Sequence, residues 1–152
     1  MGAHFWTYHV PYQDDIAAAL EALRQQEFRA GRFYQPSTVQ PGLIGRIFGR
    51  PHYKPKPPKT IQEAIKIGGT SAEGTRSILD MERISALPDY SAVTLVPPEE
   101  LERMLGTDKP TREMVEQCEE LIDTIERGHG IYLITYQQGK PNGIYFAGYS
   151  FD

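Results

Sequence analysis

Cysteine is nearly absent from the sequence, since Cys118 is the only one among 152 residues. A single thiol cannot form an internal disulfide, and one thiol with four scattered histidines makes no metal cluster without carboxylate help. The sequence therefore predicts no disulfide framework, no metal site and no cofactor. This cysteine usage fits the reducing cytoplasm best.

Long hydrophobic runs are missing as well. No segment approaches the roughly 20 apolar residues that a membrane span needs. The N-terminal residues 1–6 lack the basic region and the apolar run of a signal peptide. We therefore expect neither membrane insertion nor secretion.

What the sequence does contain is sufficient for one folded domain. Hydrophobic residues make up 39% and charged residues 24%, far from the composition of disordered chains. A chain of this length can bury about two-thirds of the surface that it exposes when unfolded. We expect one domain over residues 1–152.

Helix and strand patterns alternate along the chain. Residues 4–10 predict a strand that stops at Pro11, and Asp14 or Asp15 then begins a helix that ends at Gly31. The later segments with a regular pattern are short helices over 60–67 and 98–105, one amphipathic helix from 110 or 111 to 125, and strands over 92–96, 131–136 and 143–151.

Residues 75–85 fit both a helix and a strand, and we favour a strand that forms a hairpin with 92–96. The last two strands predict a C-terminal β-hairpin. The order of elements indicates an α+β fold: an antiparallel or mixed β-sheet with helices packed on one face.

Residues 40–59 differ from the rest of the chain. They hold five prolines, three glycines and no acidic residue. Such a composition favours an extended, polyproline-like course, so we predict a long surface excursion here.

Charge is strongly segregated. Between Glu27 and Glu63 there are seven basic residues and no acid, whereas Glu99 to Glu126 contains ten acids and far fewer basic residues. Both regions are candidates for partner binding, and their candidate residues are Arg46, Arg50, Tyr53, Lys54 and Lys56 on the basic arm and Glu113, Glu116, Glu119, Glu120 and Asp123 on the acidic segment. The alternatives are a solvated loop and the ordinary solvent side of a helix.

Signals for catalysis are weak. Gly68-Gly69 matches no phosphate-binding motif, and no HExxH or GxSxG pattern occurs. The residues that could form a small active site are His9, Arg76, Ser77, Asp80 and Arg83. A turn and structural ion pairs account for the last four equally well.

The leading hypothesis is a non-catalytic protein-binding module, such as an immunity or antitoxin protein, that captures a macromolecule through a charged surface rich in tyrosine and arginine. The alternative is a small enzyme or ligand-binding domain for a phosphorylated or nucleotide-like molecule. A nucleic-acid accessory factor is a third reading, which the net charge of −4 disfavours.

Overall fold

In the part of the chain that the structure describes, a mixed sheet of five strands organises the fold, with the spatial order β1-β5-β4-β3-β2. The computed structural model describes residues 3–36, 56–70 and 73–151. The strands are β1 (Phe5–Pro11), β2 (Arg83–Ser85), β3 (Ala92–Leu95), β4 (Gly130–Gln137) and β5 (Lys140–Tyr149). β5 pairs antiparallel with both β1 and β4, whereas β2, β3 and β4 run parallel to one another.

The helices within these ranges are α1 (Ile16–Ala30), α2 (Ile61–Gly69), α3 (Pro98–Leu105), α4 (Arg112–Glu116) and α5 (Glu119–Asp123), and a 3-10 turn lies at Ile78–Asp80. Asp15 caps the start of α1 by accepting from the N–H of Ala18 at 2.9 Å, and Gly31 ends the helix in a left-handed conformation. Among the described residues, no helix is both long enough and apolar enough to cross a bilayer.

The first hydrophobic layer packs α1 against one face of the sheet. Leu20 and Leu23 of α1 contact Trp6 of β1 and Ile144 and Phe146 of β5. These strand residues alternate with others that point to the opposite face.

The second layer packs α3, α4 and α5 against that opposite face. Leu101, Val115 and Leu121 of these helices form a cluster with Leu133 of β4 and Tyr145 of β5. The α+β class, the mixed sheet and the C-terminal hairpin are confirmed. The helices, however, cover both faces of the sheet, because β4 and β5 carry apolar residues on both sides.

Residues 75–85 do not form the strand that we predicted. Ile78 and Leu79 lie in the 3-10 turn and are completely buried, and this turn contacts α1 and α2. Burial on every side explains why the segment looked apolar on both faces. Only Arg83–Ser85 is a strand, and it pairs parallel with β3 instead of forming a hairpin.

The single amphipathic helix predicted up to residue 125 is also wrong. It is two one-turn helices, separated at Cys118, whose backbone is extended. Val115 and Leu121, each 1% exposed, would point about 120° apart on a continuous helix. The break allows both side chains to face the sheet.

Most of the proline-rich excursion, residues 40–55, lies outside the described residues, and residues 56–59 form no helix or strand.

Candidate functional site

Ser77 and Asp80, two of the catalytic candidates, use their side chains for hydrogen bonds within the loop to which both belong. Both are 1% exposed. Asp80 Oδ1 accepts from the N–H of Thr75 at 2.8 Å, and Ser77 Oγ accepts from the N–H of Leu79 at 3.2 Å. The Oγ atoms of Thr75 and Ser77 lie 3.0 Å apart. These contacts are those of a structural turn.

Burial raises the pKa of Asp80 to about 6, although the N–H and hydroxyl of Thr75 and the N–H groups of Arg76 and Ser77 act in the opposite direction. Asp80 Oδ2 has no hydrogen-bond partner among the described residues. This oxygen lies against Gly74, where an added Cβ would come within 2.8 Å of Oδ2 and 2.6 Å of the Phe151 ring. The carboxyl group is therefore enclosed and out of reach of a substrate.

Arg76 lies at the surface of the same loop. Its φ of 53° is in the left-handed region, which is uncommon for a residue with a side chain. The guanidinium lies 4.3 Å from the centre of the Tyr34 ring and forms an ion pair with Glu73. Because its charge and one planar face are already engaged, Arg76 is poorly placed to bind a phosphate.

Sequence reasoning missed a second buried polar group beside this loop. Glu27 is 4% exposed, and both of its oxygens accept from Arg32, at 2.7 and 2.9 Å. Burial, with Glu27 as the next cause, raises the pKa of Tyr8 to about 12. A signal was present in the sequence, because Glu27 falls at helical spacing after Leu20 and Leu23 on the buried stripe of α1.

His9 lies on the other face of the sheet. Its Nε2 is 2.8 Å from Thr135 Oγ1, and burial and the charge of Arg112 lower its pKa. Tyr8, its neighbour in β1, packs with α1 on the face that holds Asp80. Adjacent strand residues point in opposite directions, so His9 and Asp80 cannot act on one molecule.

Arg83, the remaining catalytic candidate, is exposed and forms an ion pair with Asp89. The five candidates therefore do not form one site. Within residues 3–36, 56–70 and 73–151, no group of His, Cys, Asp and Glu is arranged to hold a metal ion.

The acidic candidates do lie together in the chain, on the consecutive helices α4 and α5. We call Glu113, Glu116, Glu119, Glu120 and Asp123 the acidic surface, and all of them are exposed. Arg112 binds Glu116 at 2.6 Å, and Arg103 binds Glu120 at 2.5 Å and Glu100 at 2.9 Å.

Three carboxylates of the acidic surface remain without an ion pair in the part of the chain that the structure describes. They are Glu113, Glu119 and Asp123. Arg103 is shared between two carboxylates, so the surface keeps a net negative charge. Of the basic candidates, Arg46, Arg50, Tyr53 and Lys54 lie outside the described residues, and Lys56 is exposed.

A groove with a volume of about 400 Å³ opens beside α3. Its lining includes Val96 just after β3, Met104 of α3 and Ile125 just after α5. Glu100 and Glu126 contribute the acidic groups of the lining, which also includes the imidazole of His129. We call this feature the acidic groove; no pattern in the sequence predicted it, because its walls come from three separate segments.

Comparisons of the chain with protein-family models, with curated proteins and with solved structures find no match.

Proposed function

We propose that this protein is a non-catalytic protein-binding module that captures a basic macromolecular partner through the acidic surface, in the manner of an immunity or antitoxin protein. One observation carries the proposal: Glu113, Glu119 and Asp123 are exposed on two consecutive short helices and have no ion pair among the described residues. The negative electrostatic field of these carboxylates speeds the association of an oppositely charged protein. The single free thiol suits a reducing compartment, and we propose that the module acts in the cytoplasm.

The alternative of a small enzyme for a phosphorylated ligand has less support. It required a histidine, a carboxylate and an arginine in one pocket. His9 and Asp80 lie on opposite faces of the sheet, and Arg76 and Arg83 are engaged by Glu73 and Asp89.

The test is affinity capture from a lysate of the source organism at low salt, followed by kinetics with the purified partner. The test variant, Glu113→Gln with Glu119→Gln, removes two charges from the acidic surface. The control, Asp14→Asn with Glu82→Gln, removes two exposed charges elsewhere.

We expect one stoichiometric basic protein. Its association rate should fall several-fold at low salt with the test variant, with a weaker dependence on salt and little change in dissociation. The control variant should behave like the wild type. Equal association rates for both variants would contradict the proposal, as would recovery of only nucleic acid or of a small phosphorylated ligand.

A further inference from the structure

We infer that the acidic groove is the anchor pocket of this interface, and that it takes a lysine or arginine side chain of the basic partner. The inference rests on the proposed function and adds where the partner is held and by which kind of residue.

The lining of the groove matches the two parts of such a side chain. Val96, Met104 and Ile125 offer an apolar wall, against which a long aliphatic stem can pack. The volume of about 400 Å³ lies within the range of roughly 300–1,000 Å³ for pockets that bind ligands.

The charge of the lining determines which end group the bound side chain can carry. Glu126 lines the groove, is exposed, and forms none of the ion pairs among the described residues. Glu100 also lines it, but is already bound to Arg103 at 2.9 Å. A cation from the partner would meet the carboxylate of Glu126, whereas an acidic tip would be repelled, and a purely apolar occupant would remove water from Glu126 without replacing it.

The groove is continuous with the acidic surface. Arg103 joins Glu100 of the groove to Glu120 of the acidic surface, and Asp123 of that surface is followed directly by Thr124, which lines the groove. A basic segment that is attracted to the acidic surface therefore arrives next to the pocket. This continuity favours a basic protein segment over other occupants.

The experiment is a titration of the full chain with short capped peptides, followed through backbone amide shifts in nuclear magnetic resonance spectra at low salt. Each peptide is glycine except at the central position, which is lysine, arginine, norleucine or glutamate. We expect the lysine and arginine peptides to shift the amides of Val96, Ile131 and residues 124–130, the norleucine peptide to bind more weakly, and the glutamate peptide to cause no shift.

The variant Glu126→Gln tests the pocket itself, and Asp14→Asn, at an exposed residue just before the cap of α1, is its control. We expect the lysine peptide to bind about three- to five-fold more weakly to Glu126→Gln, as for a partly exposed ion pair, and equally well to the control. The amide spectrum of each variant shows directly whether its fold is intact.

The outcomes separate the two proposals. If the basic peptides shift only amides of residues 113–123, or bind Glu126→Gln as tightly as the wild type, the anchor pocket is overturned while the acidic surface stands. If no basic peptide shifts any amide at low salt, the pocket is overturned, and the capture experiment then decides the proposed function separately.

Discussion

At the scale of single residues, the buried carboxyl group of Asp80 stabilises a loop of the fold. Asp80 holds the N–H of Thr75 from a position that is 1% exposed, and its second oxygen has no hydrogen-bond partner among the described residues. Burial raises the pKa of this carboxyl group, so it keeps its proton to a higher pH than an exposed aspartate does. Its titration therefore reports on the stability of the fold.

We predict that Asp80 makes the protein less stable as pH rises from 4 to 7. The folded state keeps this proton up to a pKa of about 6, against an ordinary value of 3.8, so the folded chain binds more protons than the unfolded chain between these values. The free energy of unfolding should fall through this window by about 3 kcal/mol from this group. Asp80→Asn, which keeps an oxygen acceptor but cannot titrate, should lack this fall in urea unfolding measured at each pH.

Asp89→Asn is the control, because the pKa of Asp89 is shifted in the opposite direction to that of Asp80. The N–H of Tyr90 and the guanidinium of Arg83 lower the pKa of Asp89, so its carboxylate stabilises the fold above the ordinary pKa and loses that effect as pH falls. If the wild type and Asp80→Asn showed the same dependence on pH, the buried carboxyl would not be the cause.

His9 should titrate below its ordinary pKa of 6.5, because burial and the charge of Arg112 disfavour its protonated form. Its neutral form therefore contributes stability above pH 6.5, and that contribution is lost as the pH falls through the lowered value. Replacing Arg112 with glutamine should raise the pKa of the His9 ring, measured from its proton shifts, whereas Arg103→Gln should leave it unchanged. A ring that titrates normally in the wild type would contradict this prediction.

The separation of His9 from Asp80 shows how far residue types alone could predict the site. The sequence supplies a histidine, a carboxylate and arginines, but not the face of the sheet on which each one lies. Arg24 and Glu27, 6% and 4% exposed, occupy positions on the apolar stripe of α1, so their burial could have been predicted from helical spacing. The contact of Arg24 with the backbone of Leu79 could not, because this carbonyl, 3.4 Å from Arg24 Nη2, lies 55 residues away.

At the scale of elements, the helix α2 packs closely against the backbone of Gly74. Of its two glycines, only Gly68 lies at this contact. A Cβ at Gly68 would lie 2.5 Å from the carbonyl oxygen of Gly74, whereas a Cβ at Gly69 would meet no atom within 4 Å. The helix therefore rests its last turn directly on the backbone that leads into the buried loop of Asp80.

We predict opposite effects for alanine at these adjacent positions. Gly68→Ala should lower the free energy of unfolding by about 1–3 kcal/mol, because the backbone of Gly74 must move. Gly69→Ala should raise it by about 0.5–1 kcal/mol, since glycine costs conformational entropy within a helix. Urea unfolding of both variants checks the pair, and effects of the same sign would refute the close approach.

The elements that sequence predicted well carry their own local signals. The helix α1 has its cap at Asp15 and its stop at Gly31, and the β4-β5 turn at Gln138 and Gly139 places two residues with positive φ between the strands. Residues 75–85 have no such signal, since a 3-10 turn buried by α1 and α2 looks like a buried strand. The break at Cys118 was equally hidden, because it depends on the direction in which Val115 and Leu121 must face.

At the scale of the whole molecule, the two sides of the sheet differ in chemistry. The α1 side holds the enclosed polar groups Asp80 and Glu27, which bind within the protein. On the other side, α4 and α5 carry the acidic surface, and the groove opens beside α3. Under the proposed function, a partner that binds on the side of α3 to α5 would therefore not contact these buried polar groups.

The final prediction is that these two sides unfold together. Adjacent residues of β5, Tyr145 and Phe146, belong to different hydrophobic layers, so neither layer can lose its packing while the strand stays in place. Leu20→Ala in α1 and Leu121→Ala in α5, at side chains 3% and 1% exposed, should each lower the free energy of unfolding by about 2–5 kcal/mol.

In both variants the urea transition followed by Trp6 fluorescence should coincide with the transition followed by far-ultraviolet circular dichroism. Trp6 reports only on the α1 layer, where it is 5% exposed, so its response to Leu121→Ala is the decisive measurement. Leu87→Ala, at a side chain that is 74% exposed, is the control and should change stability by less than about 0.5 kcal/mol. If Leu121→Ala shifted the dichroism transition and left the Trp6 transition in place, the layers would be separate cooperative units, and the prediction of one domain would be wrong.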